Sequence, residues 1–233
     1  MGLSQATYIE KVLSRFSMDN SNKGLLPFRY GLAFSKDQYP KTQKGKDRMA
    51  GVPYALTVGN LMYAMLYTRP DIYFAIGMVS RYQSNSNLEH WTAVKHILKY
   101  LRRTKYMLMY SEDELILVSY TNSNFMSDKD LRKSTSGHVF TLGGGAVSWR
   151  SIKQKCIADS TTEAEYVAAY EAAKEAVLLK KFLMELGVVL ASLSPITFYC
   201  DNSGAVAQSK EPRNYGKEKH VERKYHLIRD IVQ

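Results

Sequence analysis

The sequence predicts an α/β core preceded by a small helical domain, and three observations carry that prediction. Up to about residue 110 the apolar residues recur at helical spacing, with no internal repeat. From residue 108 the texture changes to short β-branched runs broken by Gly and Asn. Those runs are followed by one long helical pattern and a further short strand. That order builds a sheet covered by helices rather than a sandwich. The boundary falls near 108–112, giving a helical domain over 1–110 and an α/β domain over 111–233.

In the first domain, residues 5–16 predict an amphipathic helix with Tyr8, Ile9, Val12, Leu13 and Phe16 on one face. The Gly-, Lys- and polar-rich stretch 20–48 reads as an exposed connection. A helix over 52–67 stops at Thr68-Arg69-Pro70, and Pro70 suits the first turn of a helix running to about residue 82. A helix over 88–103 follows, with Trp91, Val94, Ile97, Leu98 and Leu101 as its apolar face. In the second domain, strands are predicted over 115–120, 138–142 and 146–157. Gly143-Gly144-Gly145 is a hairpin turn and not a phosphate loop, since no Lys-Ser/Thr pair and no helix follows it. The long helix over 161–186 lines up Ala164, Ala168, Ala172, Leu179, Leu183 and Leu186 and ends at Gly187. A strand over 195–200, a short helix over 203–209 and a basic helix over 220–232 complete the order.

Composition narrows the function classes. With 45% hydrophobic and 23% charged residues, the 233-residue chain suits globular domains with real cores. No secretory leader or membrane-spanning run is read, because the longest apolar stretch, near 61–67, is too short. Met1-Gly2-Leu3-Ser4-Gln5-Ala6 resembles an acylation signal but has Ala6 where Ser or Thr is needed. Net charge is +10, with Lys95, Lys99, Arg102, Arg103 and Lys105 at one helix end and Arg213, Lys217, Lys219, Arg223 and Lys224 later. Such clusters indicate a polyanionic partner. Cys156 and Cys200 read as reduced core thiols of an intracellular protein.

Three segments are placed to carry chemistry: Tyr120-Thr121-Asn122-Ser123-Asn124-Phe125, Ser160-Thr161-Thr162-Glu163-Ala164-Glu165-Tyr166 and Tyr199-Cys200-Asp201-Asn202. Two-metal phosphodiester hydrolysis needs carboxylates converging from rigid strand ends and helix starts. Taken singly, each residue has a plainer account. Glu163 completes a capping box begun by Ser160, Asp201 caps the helix after it, and Asn122 and Asn124 are turn residues. Arg132, Lys133, Ser134 and Thr135 stand where they would meet nucleic-acid phosphates, with solvated loop charge as the equal alternative. His220, Glu222 and His226 are discounted as a metal site, because positions six apart face different helix sides.

Longer strings point to a family. Lys133-Ser134-Thr135-Ser136-Gly137, Leu142-Gly143-Gly144-Gly145-Ala146-Val147-Ser148-Trp149, Lys153-Gln154-Lys155 and the second and third segments above resemble the ribonuclease H region of copia-type LTR retrotransposon polyproteins. Lys219-His220-Val221-Glu222-Arg223-Lys224-Tyr225-His226 fits the same region. Gly59-Asn60-Leu61-Met62-Tyr63, Thr68-Arg69-Pro70-Asp71-Ile72 and Lys99-Tyr100-Leu101-Arg102-Arg103-Thr104 resemble the end of the adjoining reverse transcriptase. The resemblance covers nearly the whole chain.

It implies a ribonuclease H-like mixed sheet: three antiparallel strands, a helix, a parallel strand and further helices. It also implies hydrolysis of RNA in RNA–DNA hybrids with two Mg²⁺ (or Mn²⁺) ions, inside a reverse-transcriptase polyprotein and without a membrane partner. The implied location is cytoplasmic, in a virus-like particle, or nuclear. By position, Glu163 would be the helix carboxylate and Asp201 the strand-end carboxylate, while Asn122 stands where the family has the first Asp of Asp-x-Asp. These three would be the catalytic and metal-holding residues. Arg132, Lys133, Ser134, Thr135, Lys153 and Lys155 would contact nucleic acid. Asn122 keeps a carbonyl oxygen but removes a negative charge from between two dications. The family's last strand and last acidic ligand would fall beyond Gln233, and the paired-Asp polymerase signature does not occur. The expectation is thus a ribonuclease H-type domain impaired by Asn122 and by truncation, with no polymerase activity. The alternatives are a non-catalytic nucleic-acid-binding remnant or a decayed copy with no selected activity.

Overall fold

The computed structural model describes residues 1–29, 31–32, 34–111, 115–187 and 196–210. The basic helix expected over 220–232, with His220, Glu222 and His226, lies outside the described residues. The chain divides into two compact units, Met1–Met109 with Asp128–Asp130 and Tyr110–Ser127 with Leu131–Gln233.

In the first unit, β1 (Gly2–Leu3) pairs antiparallel with β2 (Leu108–Met109). The helices between them are α1 (Ala6–Arg15), α2 (Gln43–Ala50), α3 (Tyr54–Tyr67), α4 (Tyr73–Ser80) and α5 (Leu88–Arg103). Helix α1 buries Ile9, Val12 and Leu13, the i, i+3, i+4 stripe of its sequence. Helix α2 lies in the stretch expected to be a connection. It buries nothing, and Thr42 caps it by accepting a hydrogen bond from Gly45 N at 3.2 Å. The helix expected over 70–82 is split, with a single tight turn at Pro70–Ile72 before α4. Val58, Leu61, Ile72, Ile76, Val79, Val94, Ile97 and Leu98 are fully buried and form the centre of this core.

The Thr68-Arg69-Pro70-Asp71 string is structural. Arg69 is fully buried, and its Nε and Nη2 donate to the two Asp71 carboxylate oxygens at 2.9 and 2.7 Å. Nη1 and Nη2 also donate to the carbonyl and hydroxyl of Thr104 at 3.0 and 2.6 Å. Tyr100 OH donates to Asp71 at 2.8 Å. A buried guanidinium persists only with its donors satisfied in this way.

In the second unit a four-stranded sheet has the order β5-β4-β3-β6, from β3 (Val118–Asn124), β4 (Thr135–Leu142), β5 (Gly145–Lys153) and β6 (Thr197–Cys200). Strands β3, β4 and β5 are antiparallel, and β6 runs parallel to β3. The mixed sheet is α/β, as expected. Strand β3 lies further along the chain than the predicted 115–120, because every residue from Val118 to Asn124 has a partner in β4. Polar residues thereby enter the strand. The same pairing extends β4 back to Thr135.

Helix α6 (Thr161–Glu185) packs on the sheet through Ala164, Ala168, Ala172 and Ala176, all essentially inaccessible. Small side chains at this spacing let the helix axis approach the sheet closely. Leu117, Phe140, Leu142, Phe198, Leu179 and Leu183 fill the space beside them. Gln154, buried after β5, donates through Nε2 to Ser136 Oγ and Ala164 O, both at 2.8 Å. This side chain fixes the first turn of α6 against the sheet. Helix α7 (Ser203–Lys210) follows β6. Among the described residues, no single helix is long and apolar enough to cross a membrane.

Candidate functional site

The candidate site lies where β3, β6 and the start of α6 meet. The last paired residues of the parallel β3–β6 ladder are Thr121 and Cys200, so the next positions, Asn122 and Asp201, come level at the sheet's end. Alternation along β3 divides its residues. Ser119 and Thr121 are buried, whereas Tyr120, Asn122 and Asn124 are exposed. On the exposed side Tyr120 stacks on Tyr199, with ring centroids 5.2 Å apart. On the covered side Ser123 meets α6, and its backbone N and Oγ donate to Glu165 Oε1 at 2.8 and 3.0 Å.

Of the two acids at the start of α6, Glu165 lies beside Asp201, whereas Glu163, on which the sequence expectation fell, does not join that group. Glu163 turns back toward the preceding loop, where its Oε2 accepts from Asp159 N at 2.7 Å. Its backbone N donates to Ser160 Oγ at 3.1 Å, which is half of the capping box read from the sequence; the side-chain half goes to Asp159 N and not to Ser160 N. Two residues on a helix differ by about 200° in direction. Glu165 therefore points the other way, into the sheet side with Ala168, Ala169 and Ala172. One atom each of Glu165, Cys200 and Asp201 lie within 4.8 Å of one another. Glu165 is 7% exposed, and its Oε2 is buried with no hydrogen-bond partner among the described residues. Burial pushes its carboxyl above the ordinary carboxylate range; the Ser123 hydrogen bonds oppose that rise and the Asp201 charge adds to it.

Asp201 is exposed and does not cap α7. That role belongs to Asn202, whose Oδ1 accepts from Ala205 N at 2.9 Å. The Asp201 carboxylate is thus left to the site. Asn122 is exposed, and the alternation sets it across the strand from Ser123 and Glu165.

The residues expected to contact nucleic acid separate into two groups. Ser134 is fully buried; its Oγ accepts from Met126 N at 3.1 Å and its carbonyl from Gln154 N at 2.8 Å. Thr135 is buried and shares a 2.7 Å hydrogen bond with Ser127. Neither hydroxyl faces outward, because the loop before β4 needs both for its own polar groups. Lys133 Nζ donates to Lys155 O at 2.6 Å. Lys153 is half-buried within β5, while Arg132 and Lys155 are exposed.

Sequence reasoning missed Glu165, Cys200 and Ser123. A signal for Glu165 was present, since it falls on the alanine face of α6, where an acid has no business in a purely structural helix. Cys200 and Ser123 emerge only from the strand register.

No family model matches the chain. It is 47% identical over 231 residues to the retrovirus-related Pol polyprotein from transposon TNT 1-94 of Nicotiana tabacum, covering 99% of this chain and 17% of that one. The chain belongs to the Pol polyproteins of copia-type retrotransposons. The Pol polyprotein from transposon RE1 of Arabidopsis thaliana is 33% identical over 233 residues, with 99% of this chain and 15% of that one covered. The chain is also 45% identical over 133 residues to secreted RxLR effector protein 161 of Plasmopara viticola, covering 56% of this chain and 94% of the effector.

Proposed function

We propose that the second unit is a ribonuclease H-type domain, in which Glu165 and Asp201 are the acidic pair and Asn122 replaces a third acid. The observation that carries the reading is the buried Glu165 oxygen beside Asp201 at the end of the parallel strand, without a hydrogen-bond partner among the described residues. The two carboxylates are hard oxygen donors, which suit Mg²⁺ or Mn²⁺, while Asn122 stands level with Asp201 but on the exposed side of β3. When bound, such ions activate water and stabilise the leaving oxygen of a phosphodiester. Ser123 fixes the aim of the Glu165 carboxylate through two hydrogen bonds. The exposed Asp201 faces solvent, where a substrate backbone would approach. Asn122 offers a neutral oxygen at the level of Asp201, so the site carries one negative charge fewer than an all-acid site. RNA in an RNA–DNA hybrid is the substrate this reading supplies, in the cytoplasmic particle or nucleus where reverse transcription would place it.

Hybrid cleavage in Mg²⁺ and in Mn²⁺ tests the reading. The chain itself is expected to cleave weakly, and Asn122→Asp to raise the rate at least tenfold. In that background Glu165→Gln should abolish cleavage and Glu163→Gln should leave it within threefold. Loss of cleavage in Glu163→Gln with full activity in Glu165→Gln would overturn the assignment. A second reading, hybrid binding without turnover, is supported by the net charge of +10 together with Asn122. It is distinguished by tight binding that Asn122→Asp does not convert into cleavage.

A further inference from the structure

We infer that the first unit binds a small phosphate monoester, of nucleoside monophosphate size and chemistry, in the cleft beside α5. The inference stands apart from the nuclease reading and shares no residue with it. The cleft has a volume of about 410 Å³ and is lined by Arg29, Gln38, Glu89, His96 and Lys129, with Phe34 and Leu88 as apolar surface. A space of that order holds one small molecule. Helix α5 forms one wall through its rotation. Glu89, Ala93 and His96 recur on that wall at i, i+4 and i+7, whereas Val94, Ile97, Leu98 and Leu101 go to the core. The facing wall comes from the chain around Gly31, whose φ of +78° lets the backbone turn between Arg29 and Phe34.

The charge pattern selects the ligand. Among the described residues, none of Arg29, Lys95, Lys99 and Lys129 forms an ion pair. Burial, then the charges of Arg29, Lys99 and Lys95, push the His96 imidazole below its ordinary value, so the ring meets a ligand neutral and can donate one N–H. Like charges gathered on a cleft with apolar walls focus the potential and draw an anion. A guanidinium matches the paired oxygens of a phosphate, and lysines add point charge. Glu89 is the one acid of the lining. Gln38 Nε2 donates to its Oε2 at 2.9 Å, and Ser35 N donates to Gln38 Oε1 at 2.9 Å, so this acceptor is held in place. It suits a hydroxyl or amine donor on the body of the ligand and opposes a second phosphate. The buried Phe34 ring and Leu88 offer that body apolar contact. Inorganic phosphate would leave most of the cleft unfilled, and a duplex would bring only backbone, with nothing to meet the apolar surface.

Calorimetric titration of the whole chain with adenosine monophosphate, adenosine and inorganic phosphate tests the inference. Adenosine monophosphate should bind at one site per chain, and adenosine and inorganic phosphate should each bind at least about tenfold more weakly. Arg29→Ala and Lys129→Ala should each weaken binding about tenfold, the loss expected for a charge-assisted contact. Lys11→Ala, which removes an exposed cation outside the cleft, should leave binding within about twofold. Circular dichroism confirms that every variant is folded. Absence of adenosine monophosphate binding, equal affinity for adenosine, or undiminished affinity in both Arg29→Ala and Lys129→Ala would overturn the inference. Full displacement by RNA–DNA hybrid at equal phosphate concentration would also overturn it, and would assign these cations to a nucleic-acid backbone.

Discussion

Glu163 and Glu165 are two residues apart, and the helix alone assigns them different duties. Glu163→Gln keeps an acceptor for Asp159 N, so its effect on stability should stay within about 0.5 kcal/mol. His90 makes a sharper prediction. It is fully buried, stacked on Tyr82 at 4.3 Å, and its Nδ1 accepts from Asn87 N at 3.1 Å. A proton on Nδ1 would break that bond, and burial pushes the imidazole down to about 4 from 6.5. Between those values the unfolded chain binds more protons than the folded one, so stability falls as pH drops through that window. The loss is up to roughly 3 kcal/mol. Urea unfolding followed by Trp fluorescence should show this slope, and His90→Gln should reduce it, leaving the part due to His96 and His138, whose imidazoles burial also pushes down. Arg69 and Asp71 offer a third test at this scale. Asp71→Ala strands a buried guanidinium and should cost about 3–5 kcal/mol, measured by the same denaturation.

At the scale of elements, the sheet end is assembled by α6, and α6 is held by Gln154 and by its alanine face. Gln154→Ala removes two hydrogen bonds from buried partners and should lower stability by about 2 kcal/mol. Ala172→Leu forces a branched side chain into a closed helix–sheet contact, costing about 1–3 kcal/mol. Both effects are read from thermal unfolding of the chain. Helix α6 was legible from its alanine spacing, its Ser160 cap and Gly187, because those signals are local. Strand β3 was displaced in the prediction because its second half is polar. Pairing to β4 holds that half in the sheet, and a run such as Asn122-Ser123-Asn124 carries no strand propensity of its own. Helix α2 was missed for the opposite reason, since it buries no residue and leaves no apolar stripe to find.

For the whole molecule, net charge is the long-range property that bears on partners. With a net charge of +10, the chain is expected to bind RNA–DNA hybrid with an affinity that falls steeply with salt. Arg132→Ala and Lys155→Ala, both at exposed positions, should each reduce the log–log salt slope by about one. Ser134→Ala should instead act on stability, since that hydroxyl is buried and bonded. The family was legible because its strings are long and ordered, and the relatives bear that out. The facing of individual acids was not, since a string gives order along the chain while a strand register and a helix rotation decide which side chains meet. Mn²⁺ affinity, measured by calorimetry on the unaltered chain and on two variants, puts that decision to the test most directly. Binding at least tenfold weaker in Glu165→Gln and unchanged within twofold in Glu163→Gln is the predicted result. The reverse pattern, with Glu163→Gln losing the ion and Glu165→Gln keeping it, would contradict the account.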